Sequence, residues 1–213
     1  MAEVKIAADS GGGSVGLVGP ASTTGNAAIQ LKLPVADGSA NQHLKTDGSG
    51  NLGWATDSKI TEIDQWRLNA ATTLGDGNDI ITSNWERVDT APNSGNLGTG
   101  MSQSSGVWTF PSTGWWHVTY ELQAFSSDNV RYCYAIVDNA AGTQIAEAQQ
   151  SIADNGSSSW GGFQTCTFIV DITDTSADSN KLRFRVNSES DLNLGNSSTD
   201  TRVNVSFLKL AET

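Results

Sequence analysis

Residues 106–125 read GVWTFPSTGWWHVTYELQAF. Two apolar runs meet at a turn built on Pro111, Ser112, Thr113 and Gly114. Beyond the turn the residues alternate. Trp116, Val118, Tyr120, Leu122 and Ala124 share one face; Trp115, His117, Thr119, Glu121 and Gln123 share the other. A period of two, carried by β-branched and aromatic residues, is the pattern of a strand with one buried face. The stretch therefore predicts a sheet core.

The neighbouring segments follow the same logic. RYCYAIVD at 131–138 is apolar on both faces, so it belongs inside a sheet or beneath an interface. SWGGFQTCTFIVDI at 159–172 groups Cys166, Phe168, Val170 and Ile172. KLRFRVNS at 181–188 sets Leu182, Phe184 and Val186 against Lys181, Arg183 and Arg185. TRVNVSFLKL at 201–210 turns Val203, Val205 and Phe207 inward. GTQIAEAQQSIA at 142–153 is read as strand, although a helix competes there. EIDQWRLNAAT at 62–72 fits a strand, 75–89 a polar turn and a short strand, and 90–105 a Gly/Ser/Asn loop. Short strands divided by polar turns predict an all-β antiparallel sandwich. Seven or eight strands suit a jelly roll better than a small barrel. Neither a repeat of fixed period nor a heptad run is present.

Residues 1–60 have a different texture. VKIA at 4–7, SVGLV at 14–18 and AIQLKLPV at 28–35 are short β-prone pieces between Gly-rich breaks. At 41–57, Leu44 to Thr46 and Leu52 to Trp54 flank Asp47 and Gly48, a strong hairpin signal. So few large apolar residues cannot form a core within one copy. The segment must dock on a partner, wind with its own copies, or stay disordered. The chain thus divides into an extended β-rich arm, 1–60, and a sandwich, 61–213.

Bulk charge narrows the partners. The net charge is −11 and the pI about 4.4. An acidic surface repels phosphate backbones and anionic membranes, so nucleic acid is not expected as a partner. No apolar run approaches the roughly 20 residues that span a bilayer, so membrane insertion is not expected either. The N-terminus MAEVKIAADSGGG lacks a basic region followed by an apolar one, so no signal peptide is expected. Cys133 and Cys166 both fall in predicted strands. They read as two buried thiols, with a cross-strand disulfide as the alternative.

Catalytic patterns occur in the chain only without the setting that each needs. Gly11, Gly13 and Gly16 match G-x-G-x-x-G, but Gly19 and Pro20 follow where a helix would have to open. Gly12, Ser14 and Gly16 match G-x-S-x-G without the α/β setting that a nucleophile elbow needs. His117 sits on the polar face of a strand, and His43 belongs to no constellation. The chain reads as non-enzymatic, and no cofactor is expected. Calcium alone stays open, at Asp76 and Asp79 or at Asp171, Asp174 and Asp178. Trp66, Trp108 and Trp116 are expected in the core or at an interface. Trp115 and Trp160 are candidates for ligand contact, because exposed aromatic rings bind sugars and protein partners.

The order QWRL, SNWERVD, GVWTFPSTGWWHVTYEL, YAIVDNAAG and VNVSFLKL resembles the C1q/TNF-like jelly-roll domain over about residues 62–213. Phe110, Pro111, Gly114 and Trp115 resemble that family's aromatic–x–Pro–x–x–Gly–aromatic turn, although here Phe110 adjoins Pro111 directly, and Phe207 matches its last strand. Residues 11–56 resemble N-terminal segments of tailed-bacteriophage virion proteins, especially fibre-like proteins of marine phages. The carrying motif is LP-x-x-DG-x-x-x-Q-x-LKTDGSG-x-L-x-W.

Together the resemblances imply a homotrimeric virion fibre or appendage. Residues 1–60 would attach to other virion proteins of the capsid, portal or tail. The jelly-roll head would bind a host-surface glycan or protein, or decorate the capsid. Tyr132, Tyr134 and Ile136 are then the expected trimer interface, and the loops 153–162 and 188–200 the expected attachment tips. Two alternatives are a glycan-binding or glycan-degrading β-domain and a secreted C1q-like lectin.

Overall fold

The alternation after Gly114 is realised in full. Trp116, Val118, Tyr120, Leu122 and Ala124 are each at most 1 % exposed. In the computed structural model, the described residues are 3–7, 14–18, 20, 22–56, 60–92, 95–127, 130, 132–151, 160–195, 199 and 202–213. The chain divides into two compact units, Met1–Asp57 and Ser58–Thr213.

In the first unit, β1 (Glu3–Ala7) pairs antiparallel with β2 (Ser14–Val18), and a 3-10 turn covers Thr24–Asn26. β3 (Gln42–Thr46) and β4 (Leu52–Thr56) form the hairpin that Asp47 and Gly48 announce. Gly48 takes a φ of 81°, which a side chain disfavours. The Asp47 carboxylate accepts from the Ser49 and Asn51 amides at 2.8 and 3.1 Å and from Asn51 Nδ2 at 2.6 Å. These bonds, the Asn51 side chain first, hold its pKa below the usual carboxylate value.

The strand expected at 28–35 reduces to a single parallel bridge, Lys32 to Asn51. Pro34 has no N–H to offer a ladder. Ile29, Leu31 and Leu33 stay 61–68 % exposed, so nothing stabilises a longer pairing. None of the described residues in 20–56 is buried.

The second unit runs β5 (Ile63–Leu68), β6 (Thr72–Leu74), β7 (Gly77–Ile80), β8 (Trp85–Arg87), β9 (Ser102–Ser104), β10 (Val107–Thr109), β11 (Gly114–Ser126), β12 (Tyr132–Asn139), β13 (Gln144–Ser151), β14 (Trp160–Ile172), a 3-10 turn Asp178–Asn180, β15 (Leu182–Ser188), β16 (Leu192–Leu194) and β17 (Asn204–Ala211). One sheet has the order β13-β12-β15-β10-β9, with β7 also on β15. The other has the order β6-β16-β11-β17-β5-β8, with β14 also on β11. All the pairings are antiparallel.

There are more strands than the seven or eight expected. The extra ones are short, and the residues around them are turn formers. β9 lies inside the expected 90–105 loop and β16 inside 188–200. Neighbouring strands impose these pairings, and no local period announces them.

The core lies between the sheets. Cys133, Ala135 and Val137 from β12, with Leu182, Phe184 and Val186 from β15, meet the inward row of β11 and Val205 and Phe207 of β17. Burying each large side chain of this kind contributes roughly 1.5–3 kcal/mol. Trp108 is at the centre. Its ring lies 5.2 Å from Trp66, 5.4 Å from Trp85, 5.7 Å from Phe184 and 5.4 Å from Phe207. Trp108 and Trp116 are buried as expected, whereas Trp66 is only partly so. The two cysteines are free, buried thiols.

Candidate interaction surfaces

The Phe110–Trp115 turn aims β11. Gly114 has a φ of 134°, and a Cβ there would lie 2.4 Å from the Ala211 carbonyl and 2.6 Å from Lys209 Cε. Only glycine fits this approach between the start of β11 and the end of β17. Register then aligns the outward residues of neighbouring strands. Ile169 of β14, His117 of β11, Leu208 of β17 and Ile63 of β5 form one line across four strands. Phe163 faces Gln123, and Trp115 and Phe125 end the β11 row. Phe163 and Ile169 are each 55 % exposed, Trp115 45 %, Phe125 42 % and Ile63 41 %.

A polar band runs between the apolar ends. Thr167, Thr119, Ser206 and Gln65 form one line; Thr165, Glu121, Asn204, Arg67 and Glu86 form the next. Asn204 donates to Glu121 at 2.6 Å, and Arg67 to Glu86 at 2.8 Å and Asp89 at 2.7 Å. Arg67 and its neighbour Asn69 together hold Glu86 below its usual pKa. Beneath this band, buried Asp64 accepts from Arg87, from Trp66 Nε1 at 2.9 Å and from the Met101 amide at 2.7 Å. The Arg87 guanidinium also sits 4.7 Å over the Trp66 ring. This network closes the β5–β8 end of the sheet. β14, the 13-residue strand at the other end, pairs with β11 alone among the described residues.

The site residues expected from sequence fall in three places. Trp115 lies on the apolar face just described. Trp160 begins β14 opposite Ser126, and its side chain lies outside the described residues, as do 153–159, 196–198 and 200 of the expected tips. Tyr132, Tyr134 and Ile136 lie on the opposite outer face, where they line a cleft of about 560 Å³ in the other sheet. The tyrosines are half-buried, and Ile136 is 3 % exposed. His117 has Ile169 and Leu208 as cross-strand neighbours. Neither apolar side chain can relay a proton or attack a substrate.

Of the carboxylates considered for calcium, Asp79, Asp174 and Asp178 are engaged locally, whereas Asp171 Oδ1 is buried without a hydrogen-bond partner. The Asp79 carboxylate accepts from the Gly75 amide at 2.8 Å. Asp174 accepts from the Ser176 hydroxyl and amide, and Asp178 from Lys181 at 2.8 Å. These bonds lower both pKa values. Among the described residues, no three acidic, His or Cys side chains converge. The G-x-G-x-x-G and G-x-S-x-G glycines at 11–13 lie outside the described residues.

Phe163, Ile169 and Phe125 were not singled out from the sequence. Their signal was present: each stands opposite in parity to a buried residue, Cys166 or Ala124.

Among solved structures, the chain is similar to Eiger TNF from S. frugiperda. The identity is 12 % over 73 % of this chain and 96 % of that one, with a TM-score of 0.52. The fold is the C1q/TNF-like jelly roll. At this identity the likeness is one of fold alone. The jelly roll also aligns with murine APRIL at 10 % identity over 70 % of this chain and 98 % of that one, with a TM-score of 0.48. PRD1 vertex protein P5 aligns at 12 % identity over 72 % and 99 %, with a TM-score of 0.45. No family model and no curated protein matches the sequence.

Proposed function

We propose that the chain is a non-enzymatic structural protein of a tailed-phage virion, a homotrimeric fibre or appendage. The carrying observation is the outer face of the sheet containing β11. Trp115, Phe125, Phe163, Ile169 and Ile63 leave apolar area in water on one side of one unit. Such a face favours association. The copies pack it around a common axis, with the Thr119–Thr167–Ser206 band supplying polar contacts inside. Tyr132, Tyr134 and Ile136 face away from this axis, and Ile136 is already buried within one copy.

The N-terminal unit attaches the trimer to the particle. Its resemblance to virion N-terminal segments supports this role, and so does its exposure: Val35 is fully exposed, and Ile29, Leu31 and Leu33 are about two-thirds exposed. A unit in which none of the described residues of 20–56 is buried acquires stability by docking on capsid, portal or tail protein, or on its own copies. The head then serves host attachment or capsid decoration.

Sedimentation at micromolar concentration tests the assembly and is expected to give three times the chain mass. A monomer would sink the reading. Imaging labelled protein on intact particles places it on capsid or tail, and its absence from the particle would overturn the virion assignment.

A further inference from the structure

We propose that the cleft in the outer face of the β13-β12-β15-β7 sheet binds a neutral saccharide. Register builds the cleft across four strands. Tyr134 of β12 stands between Gln149 of β13 and Asn187 of β15, and Asn187 is paired in turn with Asn78 of β7. In the next line, Ile136 stands between Glu147 and Arg185. Tyr132 is two residues from Tyr134 on the same face. Their rings lie 5.3 Å apart with planes at 59°. The two rings form a corner over an apolar floor, Ile136, with an amide- and carboxylate-bearing rim.

This chemistry suits a sugar. A pyranose offers an apolar C–H face to an aromatic ring and hydroxyls that both donate and accept. Asn78 and Asn187 amides do both, the Glu147 carboxylate accepts, and the Arg185 guanidinium donates. The cleft volume of about 560 Å³ falls within the range of roughly 300–1,000 Å³ typical of small-ligand sites.

Charge selects the neutral class. Arg185 is the cation in the cleft, and Asp138 already takes it, at 2.8 Å through Nε and 3.1 Å through Nη2. Its Nη1 donates to Asn78. Glu147 adds a negative charge, held at 3.1 Å by Gln144. The chain as a whole is at −11. A sialylated or sulfated sugar would meet no free positive charge in the cleft and would be repelled over the rest of the surface.

The site is independent of the assembly proposed above, because it uses the other outer face. The full chain is titrated with lactose, maltose and N,N′-diacetylchitobiose by calorimetry and saturation-transfer NMR, with sialyllactose alongside. At least one neutral disaccharide is expected to bind more tightly than sialyllactose. Tyr134→Ala is expected to weaken it at least tenfold, and Glu147→Gln severalfold, with thermal melting unchanged. Phe163→Asp combined with Ile169→Asp, which attacks the assembly face, is expected to leave sugar binding intact. No binding by any of the three neutral sugars would overturn the proposal. So would binding of sialyllactose alone, or binding that survives Tyr134→Ala and Glu147→Gln in folded protein.

Discussion

The two outer faces of the sandwich come from strands with the same alternation, yet they end in opposite chemistry. On the β11 side, Ile169, Leu208 and Ile63 share one line, with Phe163, Phe125 and Trp115 at its flanks. On the β12 side, the lines that cross the sheet end in amides and an ion pair around Tyr132 and Tyr134. Water leaves the first face at a net gain when another apolar surface covers it. On the second, water is held by polar groups and is displaced well only by a ligand that replaces its hydrogen bonds. A second strand face that is not solvent-polar therefore says little until its cross-strand neighbours are known.

The comparison can be broken most severely at the layer that both faces share. Trp108→Ala removes the ring on which Trp66, Trp85, Phe184 and Phe207 converge. The expected loss is about 3–5 kcal/mol, read from the denaturant midpoint, with both faces affected together. An unchanged midpoint would mean that the sheets do not depend on this contact.

Next in size is the apolar face itself. Phe163→Asp with Ile169→Asp is expected to weaken self-association about 30- to 900-fold, from two anchors at roughly 1–2 kcal/mol each. Sedimentation should then show the mass of a single chain that still melts cooperatively. Retention of the assembled mass would move the interface elsewhere.

Gly114→Ala tests the turn that sets the parity of β11. The strained φ and the clash with Ala211 are expected to cost about 1–3 kcal/mol, seen as a lower melting temperature. A variant that melts like the parent would show that the turn yields easily.

The smallest effect separates the two inner layers. Burial pushes the thiols of Cys133 and Cys166 up from 9.0, to about 12 and about 11 respectively. The unfolded chain releases these protons first. Stability is therefore full below pH 9 and falls as pH rises through the folded values. Urea midpoints measured upward from about pH 8 should decline. Cys133→Ala and Cys166→Ala, made singly, should each flatten the slope, Cys133→Ala more. A pH-independent midpoint would contradict the burial of both thiols.

Much of the fold was legible because burial and strand period coincide. Residues 116–124, 182–186 and 203–207 announced their inward faces by alternation alone. β12 was legible as an internal strand because both of its faces are apolar. The short strands β6, β7, β9, β10 and β16 were not, since three or four residues carry no period and their pairing depends on neighbours far away in the chain. The pairing of buried Asp64 with half-buried Arg87 was invisible for the same reason: a charged residue in a strand reads as solvent-facing until its partner is placed.

The Pro111–Gly114 turn and the alternation after it determined, by themselves, that the chain holds a sheet core and which residues fill it. Local sterics and hydrophobic period are properties of the chain read in order. Tertiary structure alone decided which residues share the other side of each strand. Trp115, expected as a ligand contact, lies on an apolar sheet face, and Tyr134, expected at an interface, lines a polar cleft. Cross-strand partners lie tens of residues apart, and no period within one strand records them.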